Sequence, residues 1–322
     1  MLVTGASGFV GSHLVDALAA RGSRVRCLAR GTSDLRWLPA EGVDLVRGDI
    51  TDPASLGPAV EGVATVFHLA GVTASGERDA YMRVNAGGTR NLARAAREAG
   101  VGRFLHVSTL AAAGPSLSGA PRTEDELEAP TSHYGRSKLA GERAVRETEG
   151  LAWTVVRPPA VYGPRDTDFL KLFRLVRGGR IPRLPGTPQC VSLIHVTDLV
   201  RGILAAAGSA GAAGRVYFLS HPDTETWTGI GTLAAEAMGR PVRIVTVPRW
   251  VLPAASRLSG AVARVRRRPV PYPLDRVRDL LQPGWTCDGT RAERDLEFRA
   301  EIPHREGIAG LAGWYRDRGW LA

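Results

Sequence analysis

This sequence of 322 residues predicts a doubly wound α/β fold, a parallel sheet covered by helices on both faces with a smaller mixed lobe attached. Three observations carry that reading. The chain opens with an apolar run that enters a glycine-punctuated turn and continues at once as a helix. Short, buried-type strands then alternate with helical stretches to about residue 157. Beyond Pro158 the regularity fades, with shorter segments and frequent prolines such as Pro182, Pro185 and Pro188.

Taken in order, the first strand ends at Thr4 and meets Gly5, Gly8 and Gly11, while Phe9, Val10, Leu14, Val15 and Leu18 already follow helical spacing. Strand, turn and helix in this sequence point backbone N–H groups and a helix N-terminus at a pyrophosphate. Gly5 would permit the tight turn, Gly8 the approach of a phosphate, and Gly11 close packing of helix on strand. Its spacing is one residue longer than the usual dinucleotide fingerprint, and alone the triplet serves a plain structural turn equally well, because any tight turn before a helix can use one. The first strand has few residues ahead of its turn, which points to a natural start upstream. Residues 23–29 read as the second strand and 42–46 as the third. Pro53 opens a short helix to Val60, and residues 64–70 form a buried-type fourth strand. A long helix follows with Tyr81, Val84, Leu92, Ala95 and Ala96 on its apolar side. Residues 104–107 make the fifth strand, 132–148 a helix and 152–156 the sixth strand. His195 starts a further helix, and residues 216–219 return to the sheet. With no internal repeat or low-complexity linker, residues 1–165 are read as a dinucleotide-binding domain, rejoined at about 195–220, and 166–322 mainly as a substrate-binding lobe.

Bulk properties exclude several classes. An apolar content of 44% and a charged content of 23% belong to a soluble globule with a sizeable core. No apolar run reaches the roughly 18 residues of a membrane span, and none has signal-peptide architecture. Cys27, Cys190 and Cys287 are too scattered for a metal site or a disulfide framework, which fits a cytoplasmic protein. The net charge of +10 comes from dispersed basic residues, without the aromatic interleaving of nucleic-acid binders. A face for an anionic cofactor, or plain solvation, accounts for it.

The second signal is Tyr134 with Lys138, four apart on one face of a helix. A nearby ammonium favours the phenolate and lowers a tyrosine from its ordinary pKa of about 10, making it usable as a general acid or base. The chain holds 40 arginines and only two lysines, Lys138 and Lys171, so a lysine retained here is informative. Chance placement of such a pair has odds of about 4%, low enough to weigh against an ordinary exposed pair.

Further marks follow in order: Gly48-Asp49, His68-Leu69-Ala70-Gly71, Asn85 with Gly88-Thr89, Ser108-Thr109, Arg157 through Pro164, and His195 through Asp198. With the glycine triplet and the Tyr134–Lys138 pair, they resemble the extended short-chain dehydrogenase/reductase superfamily, also called the NAD-dependent epimerase/dehydratase family. In style the chain is most similar to dihydroflavonol reductases and hydroxysteroid dehydrogenases. The resemblance implies a Rossmann-type sheet. It makes Tyr134 the group that exchanges a proton with the substrate oxygen, Lys138 the holder of the nicotinamide ribose, and Thr109 (Ser108 one register away) the donor to that oxygen. Asn85 braces the site. The cofactor falls to Thr4, Gly5, Ser7, Gly8, Phe9, Val10 and Gly11 in the turn, and to Arg30, Asp49 and Ile50 beyond the next two strands. Leu69, Ala70, Gly71, Tyr134, Lys138, Pro158 and Val161 complete its site. Asp49 would meet the adenine amino group or serve only as a turn residue, and His68 and His106 read as core residues.

NAD-preferring relatives end the second strand in a carboxylate. Here Ala29 and Arg30 stand there, which favours NADP(H) over NAD(H), the alternative being Arg30 as a solvated loop residue. Ala160 replaces the asparagine that nucleotide-sugar epimerases carry before their Val-Tyr-Gly-Pro run. The first reading is therefore a carbonyl reductase or alcohol dehydrogenase for a small, largely apolar substrate. A nucleotide-sugar epimerase or dehydratase with tightly bound NAD is the alternative, and a non-catalytic dinucleotide-binding scaffold the third. The pocket is expected from residues 70–77, 110–118, 133, 159–161 and 169–190. The stretch 250–268 reads first as a lid over an apolar pocket and second as an interfacial helix touching anionic lipid. By analogy with the family, a homodimer would form through residues 78–98 and 133–148.

Overall fold

The computed structural model describes residues 1–75, 78–186, 188–257 and 274–321. Strands β1 (Leu2–Thr4), β2 (Val25–Ala29), β3 (Val43–Arg47), β4 (Thr65–His68), β5 (Arg103–Val107), β6 (Trp153–Arg157) and β10 (Arg215–Phe218) form one sheet in the order β10-β6-β5-β4-β1-β2-β3. Every pair in it is parallel. Alternation within each strand divides its side chains between two cores. Val3, Phe67 and Leu105 face one core, with Leu14, Val15 and Leu18 of α1 (Phe9–Ala20) and Leu199 and Ile203 of a later helix. Leu2, Val66 and Phe104 face the other, with Leu92, Ala96 and Val145. Burial on both faces is what parallel strands require.

The short helix after β3 is a 3-10 turn followed by α2 (Gly57–Val60). The single long helix expected after β4 is three pieces: α3 (Arg78–Tyr81), a π-helical stretch Met82–Gly88, and α4 (Thr89–Glu98). Gly88 lies so close on Ile50 that an added Cβ would come within 2.7 Å of the Ile50 side chain. Periodicity cannot reveal such a stretch, because its helical phase changes only over seven residues. After β5 come α5 (Leu110–Ala113) and α6 (His133–Arg146), the latter starting one residue after its cap, Ser132.

The second lobe takes β7 (Ala160–Tyr162), β8 (Arg180–Arg183), β9 (Cys190–His195), β11 (Thr224–Thr226), β12 (Arg243–Thr246) and β13 (Gly284–Trp285). β9 is central, paired with β7, β11 and β13, while β8 and β12 form a separate parallel pair. Helices α7 (Asp168–Arg177), α8 (Val196–Gly208) and α9 (Trp227–Ala237) accompany them. Tyr162, Phe173, Leu193 and Ile230 join Leu311 and Tyr315 of the helix His304–Asp317 in this lobe's core.

Of the stretch 250–268, only 250–257 falls among the described residues; Leu258, Val262, Val265 and the arginines 266–268 lie outside them. No helix among the described residues is long and apolar enough to cross a membrane.

Candidate functional site

Because all seven strands run the same way, the turns after β1, β2, β3, β4, β5 and β6 share one edge of the sheet. The strand order reverses between β1 and β4, which opens a crevice there. A cavity of about 840 Å³ begins at that crevice and runs into the second lobe. Its first wall is the glycine turn. Gly5 has φ +70°, and a Cβ on it would approach the Ala70 amide nitrogen to 2.7 Å. At Gly11 a Cβ would come within 2.1 Å of the Gly5 carbonyl oxygen, so α1 can lie against the turn only without a side chain. A Cβ on Gly8 would meet only the Gly5 oxygen, at 3.2 Å, so what Gly8 leaves bare is the mouth of the cavity.

The same wall continues into α6. Ser132 caps it, accepting the Gly135 amide at 3.1 Å. The Asp275 carboxylate accepts the His133 amide at 2.8 Å and the Tyr134 amide at 3.3 Å. Gly135 and Gly141 let the helix press on its neighbours, since a Cβ there would lie 2.3 Å from the Ala111 oxygen and 2.4 Å from the Asn85 oxygen. Tyr134 and Lys138, one turn apart, both face the cavity. The Lys138 ammonium donates to the Val107 carbonyl at 2.8 Å. Burial pulls its pKa down to about 8, and the Glu142 carboxylate, one turn further on, works in the opposite sense.

Behind these residues lies a buried charge network. Arg157 donates to both Glu142 oxygens, at 2.9 and 2.6 Å, and to Glu128 at 3.0 Å. Arg146 adds a bond to Glu142 at 2.9 Å, and Ser108 donates its hydroxyl to Glu142 at 2.5 Å. Neighbouring Thr109 accepts the Ala111 amide at 3.2 Å and lines the cavity. Beneath, His68 bridges the Thr4 and Thr89 hydroxyls at 2.7 and 2.8 Å and stacks on His106 at 5.0 Å. Burial pulls the His68 pKa down to about 3 and His106 well below its ordinary range, so both are neutral core residues.

The cavity brings together Gly5, Gly8, Phe9, Val10, Gly11, Leu69, Gly71, Ser108, Thr109, Tyr134, Lys138, Pro158 and Val161 from the expected set. Others stand behind it. Asn85 is fully buried, accepts the Val72 amide at 2.7 Å and donates to the Val72 carbonyl and Ser137, so it braces a loop rather than facing a reactant. Thr4 is buried under the turn, Ile50 packs into the core, and Ser7 and Ala70 do not border the cavity. Asp49 accepts both the amide and the hydroxyl of Thr51 at 2.8 Å, a turn role. Arg30 is exposed at the end of β2, where its carbonyl accepts a bond from Arg47 at 2.8 Å.

Arg47, Glu142, Asp275 and the wall residues Trp227 and Trp285 were not foreseen. Glu142 had a sequence signal, since Tyr134, Lys138 and Glu142 repeat every fourth residue on one face. Arg47 and Asp275 meet the site only through strand pairing and chain return, which no local pattern reports.

Comparisons with known proteins support the fold. Residues 1–219 match the NAD dependent epimerase/dehydratase family. A ceramide reductase of Caulobacter vibrioides is 36% identical over 323 residues, covering 99% of this chain and 95% of that protein. A 3 beta-hydroxysteroid dehydrogenase/Delta 5-->4-isomerase of Mycobacterium tuberculosis is 32% identical, covering 80% and 75%. The structure of DesIV, a dTDP-glucose 4,6-dehydratase from Streptomyces venezuelae with NAD and TYD bound, superposes with a TM-score of 0.80 at 27% identity, covering 99% of this chain and 98% of that one. The chain belongs to the NAD-dependent epimerase/dehydratase family, within the extended short-chain dehydrogenase/reductase superfamily.

Proposed function

We propose that the protein is an NADP(H)-dependent oxidoreductase that interconverts a carbonyl and a secondary alcohol on a largely apolar substrate. The observation that carries this is the single cavity wall on which Tyr134, Lys138 and Thr109 meet the glycine turn, while the facing lobe offers Phe169, Leu172, Trp227 and Trp285. The residues fit a dinucleotide: bare backbone at Gly8 for a pyrophosphate, and Lys138 for ribose hydroxyls. When bound, the nicotinamide supplies or accepts hydride at the reacting carbon. Tyr134 gives its proton to the carbonyl oxygen and takes it back in the reverse direction, with the Lys138 charge favouring the phenolate. Thr109, rather than Ser108, is the second donor to that oxygen, because the Ser108 proton is committed to Glu142. At the far end, Arg30 and Arg47 bracket the end of β2 with no acidic residue at the position of Ala29, an arrangement that suits a 2′-phosphate.

Mixing the protein with NADPH and a panel of ketones and aldehydes, apolar ones included, tests the reading. Stoichiometric loss of NADPH absorbance with at least one carbonyl is the expected result. The likeness to DesIV favours a second reading, sugar-nucleotide chemistry on a retained NAD. Purified protein that carries NAD, and converts a nucleotide sugar without net cofactor oxidation, would replace the first reading with the second.

A further inference from the structure

The parallel pair β8·β12 lies at the rim of the second lobe, joined to α7 through Gly179, whose carbonyl accepts the Arg243 amide at 3.0 Å. The register sets Arg180 beside Arg243 and Pro182 beside Val245. Residues two apart in a strand share a face, so these four point one way. Ile181 points the other way and is buried against Gly231 of α9. All four residues of β12 are exposed, and its outer edge has no partner strand among the described residues. Large apolar side chains stand in water here: Leu175 is 46% exposed, Ile244 50%, Val245 41% and Trp250 70%.

The charge around them is one-sided. Residues 169–190 and 238–257 hold nine lysines and arginines and not one carboxylate, in a chain with 42 basic and 32 acidic residues. Of the flanking carboxylates, Asp168 pairs with Lys171, one of the nine, at 2.6 Å, and the others are engaged elsewhere: Glu236 with Arg305, Asp275 with the His133 amide, and Asp279 with the Thr131 hydroxyl at 2.8 Å.

We propose that this face seats the protein on an anionic phospholipid bilayer. Trp250, Val245 and Leu175 enter the interfacial layer, and Arg174, Arg180 and Arg243 meet headgroup phosphates, while Ile244 shares the inward face of Ile181. Tryptophan and aliphatic side chains ringed by arginine are the composition an interfacial surface needs. A second copy of the chain fits poorly, because an arginine face repels itself. Nucleic acid would meet the arginines but leave the aliphatic groups unburied.

The face also borders the cavity. Phe169 and Leu172 of α7 line it, and Arg174 and Leu175 continue the same helix outward. Arg249 donates to the Leu281 carbonyl at 2.5 Å, next to the cavity residue Leu280. An apolar substrate would therefore pass from the bilayer into the site. Only this last consequence rests on the reductase reading; the docking needs no catalysis and fails or stands separately from it.

Co-sedimentation of the full chain with vesicles tests the docking, one set of phosphatidylcholine alone and one of equal parts phosphatidylcholine and phosphatidylglycerol. The wild type is expected to sediment with the anionic vesicles only. Arg180→Glu combined with Arg243→Glu should lower that partitioning at least about tenfold. Trp250→Ser should reduce it several-fold and more visibly at high salt. The same charge change at the exposed Arg294 and Arg299, Arg294→Glu with Arg299→Glu, should leave it within about twofold. Thermal melting of each variant separates lost docking from lost folding. A wild type that stays in the supernatant overturns the proposal. So does an equal fall in the Arg294 and Arg299 control, which would reduce the effect to net charge, or binding of duplex DNA through Arg180 and Arg243 without vesicle binding.

Discussion

Along the sheet edge, from Gly5 to Lys138, the cavity wall is built on tightly packed backbone with buried charge behind it, whereas across the cavity, from Phe169 to Trp285, large apolar side chains predominate, with Lys171, Ser192, Asp275 and Asp279 among them. The two walls tolerate change differently. Against the sheet a single Cβ at Gly11 or Gly141 would collide with main chain at 2.1 or 2.4 Å, and Arg157 and Glu142 are at most 1% exposed. In the second lobe the lining comes from segments far apart in sequence, and its outer faces are open to water. Positioning of a proton donor demands rigid, satisfied partners, and recognition of an apolar molecule demands only shape and dryness. One side can therefore hold the chemistry constant while the other varies.

The contrast is sharpest in its expected consequences. Tyr134→Phe removes the proposed proton donor without changing the ring, so steady-state turnover should fall by about a hundredfold to ten-thousandfold, while NADPH titration and the melting temperature stay near wild type. Turnover unchanged by that substitution would break the assignment of this wall to chemistry. Arg157→Met leaves the buried Glu142 charge with only the half-exposed Arg146 and the Ser108 hydroxyl as partners, and denaturant unfolding should lose about 3 kcal/mol. Arg183→Met, on the exposed β8, should stay within about 0.5 kcal/mol. Equal losses would erase the distinction between the two walls.

The same contrast decides what could be read from sequence. The glycine turn, the Tyr134–Lys138 pair and the six strands of the first half are written in short, local periods, and their edges fell within a few residues of the observed ones. The second lobe hid β7, β8 and β9 because each is short, proline-flanked or buried on both sides, so no period-two signal survives. Glu142 was visible in principle as a third residue on the α6 face that carries Tyr134 and Lys138. Asp275 was not, since it reaches the α6 N-terminus across more than a hundred residues of chain. Asn85 read as a brace, and burial with Val72 and Ser137 gives that brace a physical form.

A smaller effect probes the far end of the first wall. Arg30→Ala should weaken NADPH about tenfold or more, the loss of a charge-assisted contact to a phosphate, and leave NADH within about twofold. Fluorescence titration of both cofactors measures this. Equal losses for the two would make Arg30 a solvated loop residue and leave Arg47, bonded to its carbonyl at 2.8 Å, without a role in the choice.

The smallest effect is the most specific to the buried charges. Lys138 has a pKa brought down to about 8 by burial, and the Glu142 charge opposes that fall. In the proposed mechanism the ammonium acts beside Tyr134, so kcat/KM for NADPH should decline as pH rises through about 8, where Lys138 gives up its proton. Glu142→Gln removes the charge that holds the proton on, so Lys138 deprotonates more easily and the alkaline limb moves to lower pH. Working at low temperature keeps the variant folded despite its lost pairing with Arg157, and circular dichroism checks that it is. A limb that stays in place in Glu142→Gln would mean that the group titrating there is not Lys138. A limb that moves upward would reverse the sign of the Glu142 interaction and, with it, the role assigned to the network behind the cavity.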